Sequence, residues 1–526
     1  MIAKKYSTFY ALVLNALVAS IVIPCHASAE TAPSATTAYQ EPVKARPAEA
    51  DLTRQGGLFV LNYQDIDLPD NEAIDLIGYH VLKPINDWLY LGVGGYAPVS
   101  KGEYGGFMAF DVLVHGQRKI FGNLFVNGGL SFGGGGGGKS VDQSVQLSGT
   151  GGFTRGYLGL GYDFKTFSAG ANISRMKFFE SSIDDTQINF FLQMPFSYRT
   201  GPYARSGETF VQSGPSGSSE AAGRAPEHML SMGLDNYSQI DPEGSYKGRI
   251  HAVDLQFSRF VTKNSYWYFA FGVGYDGLPL YNQVVGGVGT RIAISPRVNL
   301  YGQIGIGSGG YAPSLIDTGS GLLVYPKATA EYMLNKNWGI GLTAGYLMAP
   351  DGTSENLTFG ATLNYHFRAE DQIENASYPV EGTYAGYRFS VSHETKFDMS
   401  VNGASRSNLN LIAIQTDRIL SDHFYVPIRA SISYEAYRGY PGYGEVLAGI
   451  GLQSKYSSTN RIQFFGELQA GANVEGALLR AGAGLYYGLN KDYALRGQIS
   501  QTNGANGFRA TSVELGLTYR FSLPSF

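Results

Sequence analysis

From residue 56 onward the chain alternates at period two, a large apolar side chain followed by Gly, Ala, Ser or a polar residue. That period belongs to extended strands and not to helices. Across residues 267–275, Trp267, Phe269, Phe271, Val273 and Tyr275 share one face, and Tyr268, Ala270, Gly272 and Gly274 the other. Across residues 513–521, Val513, Leu515, Leu517, Tyr519 and Phe521 face one way, and Glu514, Gly516, Thr518 and Arg520 the other, so charge appears only beside the small residues. In a soluble sandwich the bulky face would be the core, and strands of about 5 to 6 residues would suffice. The segments here run about 10 to 13 residues, the length that crosses hydrocarbon at a tilt. The pattern predicts transmembrane β-strands with bulky groups toward lipid.

The joints between these segments alternate between tight and long. Thr262-Lys263-Asn264-Ser265, Ser295-Pro296-Arg297 and Asn335-Lys336-Asn337 are tight, whereas residues 241–249, 308–321 and 349–356 are longer and rich in Gly, Asp, Ser and Pro. Short turns on one side of a membrane and long loops on the other are the outer-membrane barrel pattern, with the tight turns periplasmic. Trp88, Trp267 and Trp338 each open a strand just after a tight turn, which places three indoles at one interface as anchors.

The chain repeats itself. Residues 332–338 (YMLNKNW) recur at 487–493 (YGLNKDY), and 299–305 (NLYGQIG) resemble 463–469 (QFFGELQ). Strands counted by this guide number about 24, in three eight-strand blocks at 56–198, 228–368 and 383–526. Linkers are expected at 199–227 and 369–382, and a disordered tail rich in Ala, Thr and Pro at 30–55.

Composition narrows the class. The 526 residues include 70 glycines, with 16% charged and 13% aromatic residues and a formal charge of −4. There is enough to bury to exclude disorder, no apolar run beyond the N-terminus long enough for a membrane helix, and no basic footprint for nucleic acid. Lys4 and Lys5 precede an apolar stretch at 9–23, and Ala27-Ser28-Ala29 follows, so residues 1–29 are expected to be a signal peptide. The single cysteine, Cys25, leaves with it, and the processed chain is left without a disulfide or a thiolate metal site.

Glu514-Leu515-Gly516-Leu517-Thr518-Tyr519-Arg520-Phe521 resembles the C-terminal assembly signal of Gram-negative outer-membrane β-barrels, with Glu514, Gly516, Tyr519 and Phe521 as its polar, glycine and aromatic positions. The terminal Phe526 suits that family, and Gln193-Met194-Pro195-Phe196-Ser197-Tyr198 and Asn364-Tyr365-His366-Phe367 resemble weaker versions at the ends of the other two blocks. The resemblance implies residence in the bacterial outer membrane, contact with its lipid, folding by the outer-membrane assembly machinery, and strands like those of the small OmpA- and OmpX-type barrels.

Candidate chemistry is sparse. Residues 133–140 match G-x-x-x-x-G-K-S through Lys139 and Ser140, but all four intervening residues are glycine and no helical period follows, so a surface loop is expected instead of a phosphate cradle. No histidine has ligand spacing, no G-x-S-x-G elbow is present, and no cofactor is implied. Asp111 and His115 share an inward face but lie too far apart along a strand for a direct hydrogen bond, the nearest hint of a hydrolytic enzyme. Arg429, Glu445, Glu467, Arg480, Arg496, Glu514 and Arg520 fall on the small-residue face of the last block, a mixed-sign set able to close a narrow lumen by pairing. Inward residues of the first block, Asn123, Phe125, Asn127 and Asn189, are uncharged. Three small barrels are preferred, since one wide barrel of 24 strands would need a plug that the sequence does not offer. The favoured function is a non-enzymatic, membrane-anchored scaffold with surface loops at 133–152 and 308–321. The alternative is one wide barrel serving as a transport or export channel, and the third a lipid- or peptide-hydrolysing enzyme.

Overall fold

The computed structural model describes residues 48–68, 73–136, 149–181, 183–212, 227–311, 314–368, 380–457 and 459–525. The signal-peptide segment, Cys25, Lys139, Ser140 and Phe526 lie outside them. Among the described residues no helix is long and apolar enough to cross a membrane, and most of these residues lie in strands.

After the short β1 (Ala48–Glu49), the first barrel runs β2 (Thr53–Asp67), β3 (Ala73–Pro84), β4 (Leu89–Pro98), β5 (Met108–Phe121), β6 (Leu124–Gly136), β7 (Gly152–Asp163), β8 (Ser168–Phe178) and β9 (Asp184–Thr200). It closes where β2 pairs antiparallel with β9, from Thr53 opposite Thr200 to Tyr63 opposite Phe190. After β10 (Thr209–Gln212), the second barrel runs β11 (Glu227–Gln239), β12 (Ile250–Phe260), β13 (Ser265–Asp276), β14 (Asn282–Ser295), β15 (Val298–Gly310), β16 (Leu322–Met333), β17 (Trp338–Met348) and β18 (Glu355–Arg368), closed by β11 on β18.

The third barrel begins with the long β19 (Val380–Val401), which turns back through β20 (Ala404–Ser405). It continues with β21 (Leu409–Ile419), β22 (Phe424–Ser433), β23 (Gly444–Gln453), β24 (Ile462–Asn473), β25 (Gly476–Gly488), β26 (Tyr493–Gly504) and β27 (Arg509–Ser525). β27 pairs with β19 from Thr383–Ser525 to Ser400–Arg509, and this closes the ring.

The 24 long strands therefore form three eight-strand barrels, and the single wide barrel held as the alternative does not form. Each block's last strand finds its own first strand at full register, leaving no edge to join the next block.

The alternation has the handedness read from the sequence. Leu130 and Leu342 are each 71% exposed and Leu515 65%, all pointing outward, while Arg388, Ser390, Glu394 and Thr518 are buried inside. The exposed apolar side chains recur on every barrel, far beyond what a water-facing surface carries. With side chains filling eight strands, the architecture is a membrane-spanning antiparallel β-barrel in triplicate.

Three expectations are corrected. Of the tail assigned to 30–55, the described residues 48–55 are not disordered, since β1 pairs parallel with β10 and β2 already begins at Thr53. The linker assigned to 199–227 includes the end of β9, a 3₁₀ turn (Tyr203–Arg205) and β10, which pairs antiparallel with β19; Tyr203 and Phe210 are buried, and that apolar contact holds the segment against the third barrel. Asn123 lies in the turn between β5 and β6, outside the lumen, because the strand ends at Phe121.

Candidate functional site

The lumen of the third barrel is a charge network with its side chains 0 to 1% exposed. Arg388 meets Asp417 at 2.8 Å, Lys396 meets Glu394 and Glu445 at 3.1 Å each, and Arg429 meets Glu394 and, at 2.9 Å, Glu514. Arg480 and Arg496 reach Glu514 at 3.1 and 3.5 Å, and Arg496 reaches Glu467 at 3.1 Å. Five cations thus pair with five carboxylates, as a dry interior favours, while a sixth buried cation, Arg520, is held by tyrosine rings and Gln463 and not by a carboxylate. Arg429, Glu445, Glu467, Arg480 and Arg496, singled out from sequence, are brought together here with Glu514.

Arg388, Glu394, Lys396 and Asp417 were not singled out. The period-two run Arg388-Ser390-Ser392-Glu394-Lys396, small or charged at every second position, is the signal that marks the first three, and Ala413-Gln415-Asp417 on β21 is the signal for the fourth.

Both ends of this lumen are covered. At the tight-turn end Arg520 lies 5.7 Å from the Tyr203 ring centroid and 5.3 Å from that of Tyr456. Tyr203 is fixed there because Gly201 pairs with Ser522 in an isolated bridge. At the other end Met399, Val401, Leu409, Leu411, Tyr437, Tyr443 and Phe508 form an apolar lid.

The second lumen is polar and nearly as tight. Lys327 reaches Asp235 at 2.7 Å, and Tyr237 and Gln283 donate to Asp254 at 3.2 and 3.0 Å. Nearer the tight turns His366 sits between Glu227 (2.8 Å) and Glu331 (2.9 Å), and Arg291 holds Glu227. A cavity of about 30 Å³ between these layers, lined among others by Asp254, Tyr268, Gln303 and Lys327, has room for about two waters and not for a solute. An apolar cluster including Ile250, Leu278, Ile316 and Leu347 closes the loop end.

In the first lumen the Asp111–His115 hint dissolves into two separate contacts. Asp111 binds His80 at 2.9 Å and accepts from Tyr96 at 3.3 Å, whereas His115 pairs with Tyr157 at 2.5 Å and Gln117 at 3.3 Å. Asp111, His80 and His115 are at most 2% exposed. Asn127 and Asn189 are inward and buried, Asn189 donating to Ser174 at 2.5 Å. Among the described residues no three His, Cys, Asp or Glu side chains converge as for a metal.

Trp88, Trp267 and Trp338 lie at the tight-turn ends of β4, β13 and β17, with Trp88 and Trp267 exposed and Trp338 packed on Tyr365 at 4.7 Å. Of the C-terminal motif, Glu514 points into the lumen, Gly516 lies against Ser392, and Tyr519 and Phe521 stack outward at 5.0 Å. Lys83 of the first barrel covers the Tyr519 ring at 4.1 Å.

The described part of the glycine run does not form a phosphate cradle. Gly133 to Gly136 pair with Asp111 to Met108 in the β5–β6 ladder, so their N–H groups belong to the sheet. Gly134 lies against the Ser433 carbonyl, and a Cβ at Gly136 would stand 2.7 Å from the Gly442 nitrogen. These glycines let the first barrel approach the third, beside a Phe132–Tyr434 ring contact at 5.0 Å.

First and second barrels meet the same way. The Gly105 N–H donates to the Gly319 carbonyl at 2.8 Å and the Ser320 hydroxyl to that of Val99 at 3.0 Å, with Gly106 (φ +89°) and Gly310 (φ +147°) making the turns. The long loops of all three barrels are thus stitched at one end of the molecule.

No family model matches the sequence, and no curated protein matches it. Among solved structures, the outer-membrane protein Ail of Yersinia pestis aligns at 18% identity over 27% of this chain and 99% of its own, with a TM-score of 0.19. A de novo designed transmembrane β-barrel aligns at 15% over 26% of this chain and 94% of its own, TM-score 0.20. The siderophore receptor PirA of Acinetobacter baumannii aligns at 9% over 91% and 81%, TM-score 0.27. The class of the fold rests on the strand pairing and the outward apolar surface described above.

Proposed function

We propose that the protein is a non-enzymatic scaffold of the bacterial outer membrane, three filled barrels that anchor one shared loop platform. The observation that supports this reading is the third lumen, where five cations and five carboxylates interlock between an apolar lid and the Tyr203 cap. A filled lumen anchors and does not conduct, and the stitched loops turn three anchors into one rigid surface for a partner.

Purified protein in planar bilayers tests it. Near silence is expected; large, steady single-channel currents would overturn the scaffold in favour of transport.

A further inference from the structure

The second barrel is electrically polar along its axis. At its tight-turn end Arg259, Lys263, Arg297 and Lys336 are exposed, and among the described residues no exposed carboxylate accompanies them. Glu227 and Glu331, the acids of that end, are turned to His366 and Arg291. The loop end carries exposed Asp241, Glu243, Asp276, Asp351 and Glu355 against only Lys247 and Arg249.

The four cations share their level with side chains that belong in lipid. Arg259 stands opposite Trp267 in the β12–β13 register, and Lys336 is two residues before Trp338. Arg297 donates to the outward Tyr332 hydroxyl at 3.1 Å. Val261, Ile294 and Leu334 are more than half exposed around them. An indole belt marks the boundary of the hydrocarbon, so cations threaded through it reach the headgroup layer and not a partner out in the water.

We propose that this rim binds anionic phospholipid, with headgroup phosphates seated on Arg259, Lys263 and Lys336 and the acyl chains along the apolar wall of the second barrel. The inference goes beyond the scaffold reading and rests on its membrane-spanning orientation.

Tryptophan quenching by brominated lipid tests it, in full-length protein carrying Trp88→Phe so that Trp267 and Trp338 report. With brominated phosphatidylglycerol diluted into phosphatidylcholine, quenching should show a preference over brominated phosphatidylcholine of about five-fold for each cation that reaches a headgroup, falling as salt rises. The variant with Arg259, Lys263, Arg297 and Lys336 all changed to Ala should lose that preference, and Lys247→Ala with Arg249→Ala should keep it.

Equal quenching by the two lipids would overturn the proposal, as would a preference that survives the four substitutions or disappears equally in the loop-end variant. The wild-type preference and its salt dependence decide the matter even if the four-fold variant does not fold. Quenching by neither lipid would instead overturn the membrane reading itself.

Discussion

Glu514 shows what one residue does in a closed lumen. Its carboxylate meets Arg429, Arg480 and Arg496, and without it the carboxylates left in this buried lumen are Glu394 for Arg429, Glu467 for Arg496 and, at 3.7 Å, Glu394 for Arg480. Removing one partner of a buried network costs about 3–5 kcal/mol. Glu514→Gln should therefore lower the unfolding free energy in urea by about that amount, while the exposed Glu208→Gln changes it by less than about 1 kcal/mol. At the loop end, burial raises the Glu475 carboxyl, but donors from Arg438 and Tyr437 outweigh it and hold the group below its ordinary value. A lowered native value stabilises the fold above the ordinary glutamate range and is lost as pH falls through it. Amide protection in the 434–443 loop should therefore persist through the ordinary glutamate range and fall away only at pH values below it.

At the scale of elements, glycine decides where barrels meet. The outward faces of β6 and of the 434–443 loop touch at backbone distance because Gly134 and Gly136 carry no side chain. Gly134→Val together with Gly136→Val should push the first and third barrels apart at the loop end. The expected outcome is faster exchange across 434–443, with each barrel's unfolding changed by less than about 1 kcal/mol, because the ladder within β5–β6 tolerates Val. Unchanged exchange would show that the contact does not hold the loop. The inter-barrel segment behaves as an element too: β10 adds to β19, and β1 adds to β10, so chain between barrels becomes the cover of the third lumen.

For the whole molecule, the long loops lie at one end and the tight turns at the other, and the scaffold reading puts the loops outside the cell. Single cysteines test this in a processed chain otherwise free of them: Asp351→Cys should react with an impermeant maleimide on intact cells, and Lys336→Cys only after the outer membrane is opened. The reverse result would invert the orientation.

The period-two alternation made the strands, their lipid face, the lumen charges of the last block and the tryptophan level legible in sequence, because a strand's side chains must alternate whatever surrounds it. The same reading preferred three rings to one only for want of a plug and not from any pairing of strands, and it did not see that residues 201–212 cap a lumen, nor that Gly133 to Gly136 serve barrel contact. Those features depend on which strand closes on which and which surfaces come within a Cβ of one another. Local pattern specifies the faces of each strand; only the closure of β9 on β2, β18 on β11 and β27 on β19 decides how many interiors those faces enclose.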